Sequence, residues 1–229
     1  MINVFVWAED RPLPEHEKRM RELYPDGIEG RLREVLLSDT DICVRTATMQ
    51  DRDQGFSDEI LKWADVLVLW SHKNWRELKD IYVEAVWERV LEGMGIVVLH
   101  SAHASKIFAR LMGTKTQRLH WKENDERQRY WVVAPGHPIV QGIDGEYFDI
   151  PADETYGEYF DIPHPDELVF LTVSEGGEIF RSGCCWRRGK GRIFYFQAGH
   201  ETCPVYYQEE VMAIIINAVK WTASVCRHN

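Results

Sequence analysis

Short apolar runs alternate with amphipathic stretches through the first half of the chain. Val4-Phe5-Val6-Trp7, Asp41 to Ala47, Asp65 to Trp70 and Gly95 to His100 read as strands. The third is apolar throughout after its Asp, as expected of a strand covered on both faces. Between these runs, residues 28, 32, 35 and 36 fall at helical spacing. Ser57-Asp58-Glu59 offers a polar cap followed by acids, a helix start. Trp75 to Glu92 is amphipathic and is stopped by Gly93 and Gly95, and Ser105 to Met112 predicts the next helix. Strands and helices that alternate over short connections predict an α/β fold with a mostly parallel sheet and helices on both faces. Ligands of such sheets bind beyond the carboxyl ends of the strands. His100 stands at one such end, and the breaker-rich loop Glu9-Asp10-Arg11-Pro12-Leu13-Pro14 follows another.

The second half changes character. Trp131 to Ala134, Leu168 to Val173 and Gly191 to Gln197 read as strands, with Gly176-Gly177 as a turn. Pro135 to Val140 reads as a turn leading into a helical start. Gly145-Glu146-Tyr147-Phe148-Asp149-Ile150-Pro151 recurs as Gly157-Glu158-Tyr159-Phe160-Asp161-Ile162-Pro163, and each copy leads to an Asp-Glu pair, Asp153-Glu154 and Asp166-Glu167. The repeat reads as a local tandem duplication on the surface, since loops tolerate insertion; two similar acidic loops are the functional alternative. Val211 to Ser224 is an apolar closing helix, and an uncovered face on it would allow a homo-oligomer. No linker interrupts the pattern, so one domain over residues 1–229 is expected.

The formal net charge of -10 argues against nucleic-acid binding, which draws on basic patches. Arg187-Arg188-Gly189-Lys190-Gly191-Arg192 reads as a turn ahead of a strand. No basic leader and no apolar run of about 20 residues is present, so neither secretion nor a membrane partner is expected. The five cysteines, Cys43, Cys184, Cys185, Cys203 and Cys226, are odd in number and form no C-x-x-C. That pattern fits reduced thiols in a cytoplasm rather than disulfides or a zinc ribbon.

Histidine is the side chain best suited to acid–base or metal chemistry near neutral pH. Of nine, His100, His103, His120 and His200 fall where a strand or turn would present them. His137 lies in a turn, and His16, His72, His164 and His228 read as surface or loop residues. Asp153-Glu154-Thr155-Tyr156 reads as a polar loop whose Glu could serve as base or ligand. Cys203 lies three residues after His200, without a strand-end elbow, and reads as structural. Ser101 lacks both glycines of the Gly-x-Ser-x-Gly elbow. No Gly-x-Gly-x-x-Gly and no Walker loop occur. Trp7, Trp70 and Trp75, at or past strand ends, could stack on a sugar ring, although core packing is the commoner role.

The ordered set Ile96 to Ala102, His120, Gly136-His137-Pro138-Ile139, Asp153-Glu154-x-Tyr156, Trp186-x-x-Gly189-Lys190-Gly191-Arg192 and Gly199-His200 resembles the ThuA-like (trehalose utilisation) family. The resemblance implies a flavodoxin-like sheet of the class I glutamine amidotransferase-like superfamily. There the strand-end nucleophile is Cys and a later His is its base. Here the strand end carries His100, which removes acyl-enzyme glutamine hydrolysis. What the resemblance implies instead is catabolism of trehalose or a related disaccharide, through 3-keto sugars. The implied pocket is His100, Glu154 and His200, with His103, His120 and Glu201 as second choices. Trp7, Glu9, Asp10, Trp70 and Tyr156 are the expected substrate contacts. His100, His103, His200 and Glu154 are the expected ligands of a divalent metal such as zinc. The alternatives are a non-catalytic sugar-binding or regulatory module, and a residual amidotransferase that would need Cys203.

Overall fold

The computed structural model describes residues 1–223. Among them, nine strands form one mixed sheet. Its parallel half runs β2 (Ile42–Thr48), β1 (Ile2–Ala8), β3 (Val66–Trp70), β4 (Gly95–Leu99) and β9 (Gly191–Phe196). Its antiparallel half continues through β8 (Ile179–Arg188), β7 (Glu167–Ser174), β5 (His120–Val132) and β6 (Tyr147–Gly157). This is an α/β fold with a large sheet covered by helices, as the alternation predicts.

Every residue of β3 and β4 is buried. Successive side chains of a strand point to opposite faces, and two apolar cores result. Val4, Val6, Val68, Trp70, Val97 and Leu99 belong to one, together with residues of α1 (Pro14–Leu23), α2 (Gly27–Leu37) and α6 (Glu209–Ala223). Phe5, Trp7, Leu67, Leu69, Ile96 and Val98 belong to the other, with α3 (Asp58–Trp63), α4 (Asp80–Glu92) and α5 (Lys106–Met112). Ser57 and Ser105 cap α3 and α5, accepting from the amides of Ile60 and Phe108. The vicinal Cys184 and Cys185 point to opposite cores, as strand alternation requires. The apolar face of α6 is spent inside the molecule, so it is not the uncovered face a dimer contact would use; Ser224, Cys226 and His228 lie outside the described residues. No helix among the described residues is long and apolar enough to cross a membrane.

Several expected elements differ. Pro12 and Pro14 read as breakers, yet Pro14 opens α1, where its missing N–H costs nothing. The amphipathic run from Trp75 opens as a short 3-10 helix, Asn74–Glu77, and becomes an α-helix only at Asp80: Leu78 and Lys79 are extended, with Leu78 buried and the Lys79 amide donating to Gln54. β5 is thirteen residues long, and its charged first part is exposed and gave no apolar signal. The repeat at 145–163 is no duplicated surface loop. Its first copy enters β6, an edge strand that tolerates Pro151. Its second copy is irregular, buries Phe160 and ties Glu158 to Arg181 at 2.8 Å. Asp153 and Glu154 are therefore buried strand residues rather than members of a polar loop.

The antiparallel half folds back over the carboxyl ends of the parallel half. The Gly199 and His200 amides both donate to Asp153 at 3.0 Å, and Gln197 Nε2 donates to the Glu154 carbonyl at 3.3 Å. Gly199 has φ +136°, and a Cβ there would strike the Tyr206 hydroxyl, so the turn that delivers His200 requires glycine.

Candidate functional site

Four strand ends and β6 meet at one place. His100 follows β4, Ser71 and His72 follow β3, His200 and Glu201 follow β9, and Glu9 follows β1. His100 opens a short helical turn with φ 50°, left-handed backbone that costs a non-glycine residue about 1–3 kcal/mol. Its Nδ1–H donates to the Gln197 carbonyl at 2.9 Å, which fixes the ring and leaves Nε2 facing Glu154 Oε2 at 3.1 Å. That contact lies off the line of a directed hydrogen bond, so it is an ion pair. Tyr156 donates to the same Oε2 at 2.9 Å.

The electrostatics follow from this pairing. Burial opposes the His100 imidazolium, but Glu154, Asp153 and Glu201 outweigh it and push the pKa up to about 9. Burial opposes the Glu154 carboxylate too, and His100 overcomes it, lowering that pKa to about 2. Burial dominates at Asp153, raising it to about 6 against His100 and three backbone amides. It also dominates at His200, lowered to about 4. His72 is likewise lowered by burial, against the pull of Glu201.

A cleft of about 200 Å³ opens beside these groups. His72, Ser101, His103, Glu154 and Tyr156 form its inner wall, and Trp75 and Trp121 its apolar sides. Ser101 Oγ lies 3.1 Å from the Tyr156 hydroxyl and 3.3 Å from His72 Nδ1.

The structure brings together His100, Glu154, Tyr156, His200 and Glu201, and it gives the other expected residues different surroundings. Trp7 is buried against Phe56, its Nε1 donating to the Gln54 carbonyl. Trp70 is buried with Nε1 on the Gly199 carbonyl. Neither ring lines the cleft; Trp75 and Trp121 do, and Trp121, in charged β5, gave no strand-end signal. Glu9 is buried and accepts from Ser71, from the amides of His72, Lys73 and Asn74, and from the Asn74 side chain. Its lone pairs are spent on shaping the loop that carries His72. Asp10 pairs with Arg21 at 2.9 Å away from the cleft. His103 lines the cleft, but its Nδ1 is bound to the Thr116 carbonyl and it joins no ligand-spaced group among the described residues. His120 is exposed on β5. The Cys203 thiol is buried beside Asp125, and both push its pKa up, so it is no thiolate nucleophile. His16 and His72, read as surface or loop residues, are site residues by position. His72 lies two residues past a strand end and could have been found by that rule; His16, on a helix behind a proline-rich loop, carries no such signal.

A sequence model of the ThuA family, described as trehalose utilisation, matches residues 3–222. The chain belongs to the ThuA family. A ThuA-like protein from Parabacteroides merdae superposes with a TM-score of 0.72 at 14% identity, covering 97% of this chain and 90% of the other. A cytoplasmic protein from Salmonella typhimurium follows the same fold with a TM-score of 0.60 at 14% identity, over 97% and 99% of the two chains. A GMP synthase-type protein from Thermoplasma acidophilum gives a TM-score of 0.52 at 16% identity, over 98% and 95%. None of the curated proteins matches the chain.

Proposed function

We propose that this ThuA-family chain works as one domain in carbohydrate catabolism, converting trehalose, a related disaccharide or its 3-keto form in the cleft beside His100, Glu154 and His200. The observation that carries this reading is the His100–Glu154 ion pair, whose Glu154 end lines the cleft together with Tyr156. Family membership supports the substrate class. Trp75 and Trp121 at the cleft sides suit the apolar face of a sugar ring. The strand order β2-β1-β3-β4-β9 supports a flavodoxin-like, amidotransferase-like reading of the parallel half. The free cysteines support a reducing, cytoplasmic setting.

The residues divide the work by their protonation states. His100, with a pKa of about 9, holds a proton to give at neutral pH. Glu154, held near 2, is a poor base alone but a strong acceptor for sugar hydroxyls. Tyr156 and Ser101 add hydroxyl groups at the same wall. A divalent ion such as zinc would polarise a carbonyl oxygen or activate water. His100, Glu154 and His200 have ligand spacing, within 4.8 Å, but His100 would have to lose its proton to bind an ion.

Incubation of the purified protein with trehalose and 3-keto-trehalose, followed by mass spectrometry, tests this. Turnover that falls at least about 100-fold in His100→Gln and Glu154→Gln is the expected result. Binding without product favours the sugar-binding module, and neither binding nor product sinks the reading.

A further inference from the structure

Next to the His100–Glu154 pair, His16, His72, His200 and Glu201 place donor atoms within 4.8 Å of one another. His16 comes from the first turn of α1, His72 from the end of β3, and His200 and Glu201 from the end of β9. Glu201 is fully buried. Its Oε1 lies 2.9 Å from His16 Nδ1, and its Oε2 lies 3.2 Å from His72 Nδ1 and 3.7 Å from His200 Nε2. Among the described residues its ion-pair partners are these imidazoles, with no lysine or arginine. A buried carboxylate without a full counter-charge is costly to keep.

The same place holds unsatisfied donor atoms. Glu201 Oε2, His200 Nε2 and His72 Nε2 are buried without a hydrogen-bond partner. His200 is oriented from behind, its Nδ1 lying 2.7 Å from Thr202 Oγ1, as a ligating histidine is held by its other nitrogen. Glu123 Oε1 adds a second carboxylate oxygen at the rim, 2.7 Å from His16 Nε2 and 3.8 Å from His200 Nε2.

We propose that His16, His72, His200 and Glu201 form a divalent transition-metal site, with the His100–Glu154 pair outside its ligand set. Three imidazoles and one carboxylate suit zinc or a similar first-row ion, and offer too few oxygens for calcium or magnesium. The ion supplies the positive charge that Glu201 lacks. His72 is both a ligand and part of the cleft wall, so the site adjoins the space where a substrate carbonyl or water would sit. This assignment deepens the proposed function by placing its cation. Its test uses no sugar, so either reading can fail while the other stands.

The test is zinc chloride titrated calorimetrically into chelator-stripped full-length protein, with an anomalous difference map at the zinc edge from zinc-grown crystals. The expected result is one stoichiometric ion and an anomalous peak between His16, His72, His200 and Glu201. His72→Gln and Glu201→Gln should weaken binding at least about 100-fold, while His100→Gln stays within a few-fold of the parent. The map reads the native protein, so a variant that fails to fold does not block the test. No peak and no binding overturns the proposal, and so does a peak bound by His100 and Glu154 that His72→Gln leaves intact.

Discussion

His100 Nε2 lies 3.1 Å from Glu154 Oε2, and both side chains are buried at the junction of β4 and β6. The His100 pKa is raised from 6.5 to about 9, so its contribution to stability is complete below 6.5 and is lost as pH rises through 9. The Glu154 pKa is lowered from 4.5 to about 2, so its contribution is complete above 4.5 and is lost as pH falls through 2. The stability difference between the parent and Glu154→Gln should therefore be largest between pH 4.5 and 6.5 and shrink above pH 9. Urea denaturation across that range measures it; a difference that grows above pH 9 contradicts the pairing.

Glu9 makes its contribution through backbone amides. It accepts from three consecutive residues, His72 to Asn74, and replacing it with Gln turns one acceptor oxygen into a donor facing those amides. Glu9→Gln should cost about 1.5–3 kcal/mol, the range for hydrogen bonds to a charged group. Chemical denaturation reads this directly, and a neutral result would mean the 71–74 loop holds its shape without the carboxylate.

Trp121 is 56% exposed and stands at the cleft side. Removing it should leave the fold intact, because more than half of its surface is exposed. If it stacks on a sugar, Trp121→Ala weakens disaccharide binding by about 0.5–1.5 kcal/mol, with no change in melting temperature. Calorimetry on parent and variant separates that from a purely structural role.

Glu29 lies in the first turn of α2, where a carboxylate is ordinarily welcome. Burial outweighs that benefit and raises its pKa from 4.5 to about 7. The stability tied to its proton is complete below 4.5 and is lost as pH rises through 7. Glu29→Gln keeps a neutral group at every pH, so it should raise the melting temperature more above pH 7 than below pH 5. Equal shifts at both ends would count against the burial argument.

The parallel half was legible because its strands are apolar on both faces, and that pattern also put His100 at a strand end. The antiparallel half was not. β5 opens with charged residues facing solvent, and β6 carries Pro151 on an edge, so neither alternates as a half-buried strand should. Glu154 was legible as a candidate, but its burial was not, because that arises when β6 folds back over β4 and β9. His16 entered the site through tertiary packing alone. The tryptophans show the limit from the other side: Trp7 and Trp70 stand at strand ends, but they are core residues.

The closure of the sheet's second half over its first has a kinetic side. Asp153 joins β6 to the Gly199–His200 turn across 46 and 47 residues of chain. Side-chain contacts from an edge strand, outside any ladder between the two, open in excursions smaller than global unfolding. An excursion of that kind would part Glu154 from His100 while the inner strands stay paired. Hydrogen exchange should then be faster at the Gly199 and His200 amides than within β3 and β4, and under mild denaturant the cleft should stop working before the molecule unfolds.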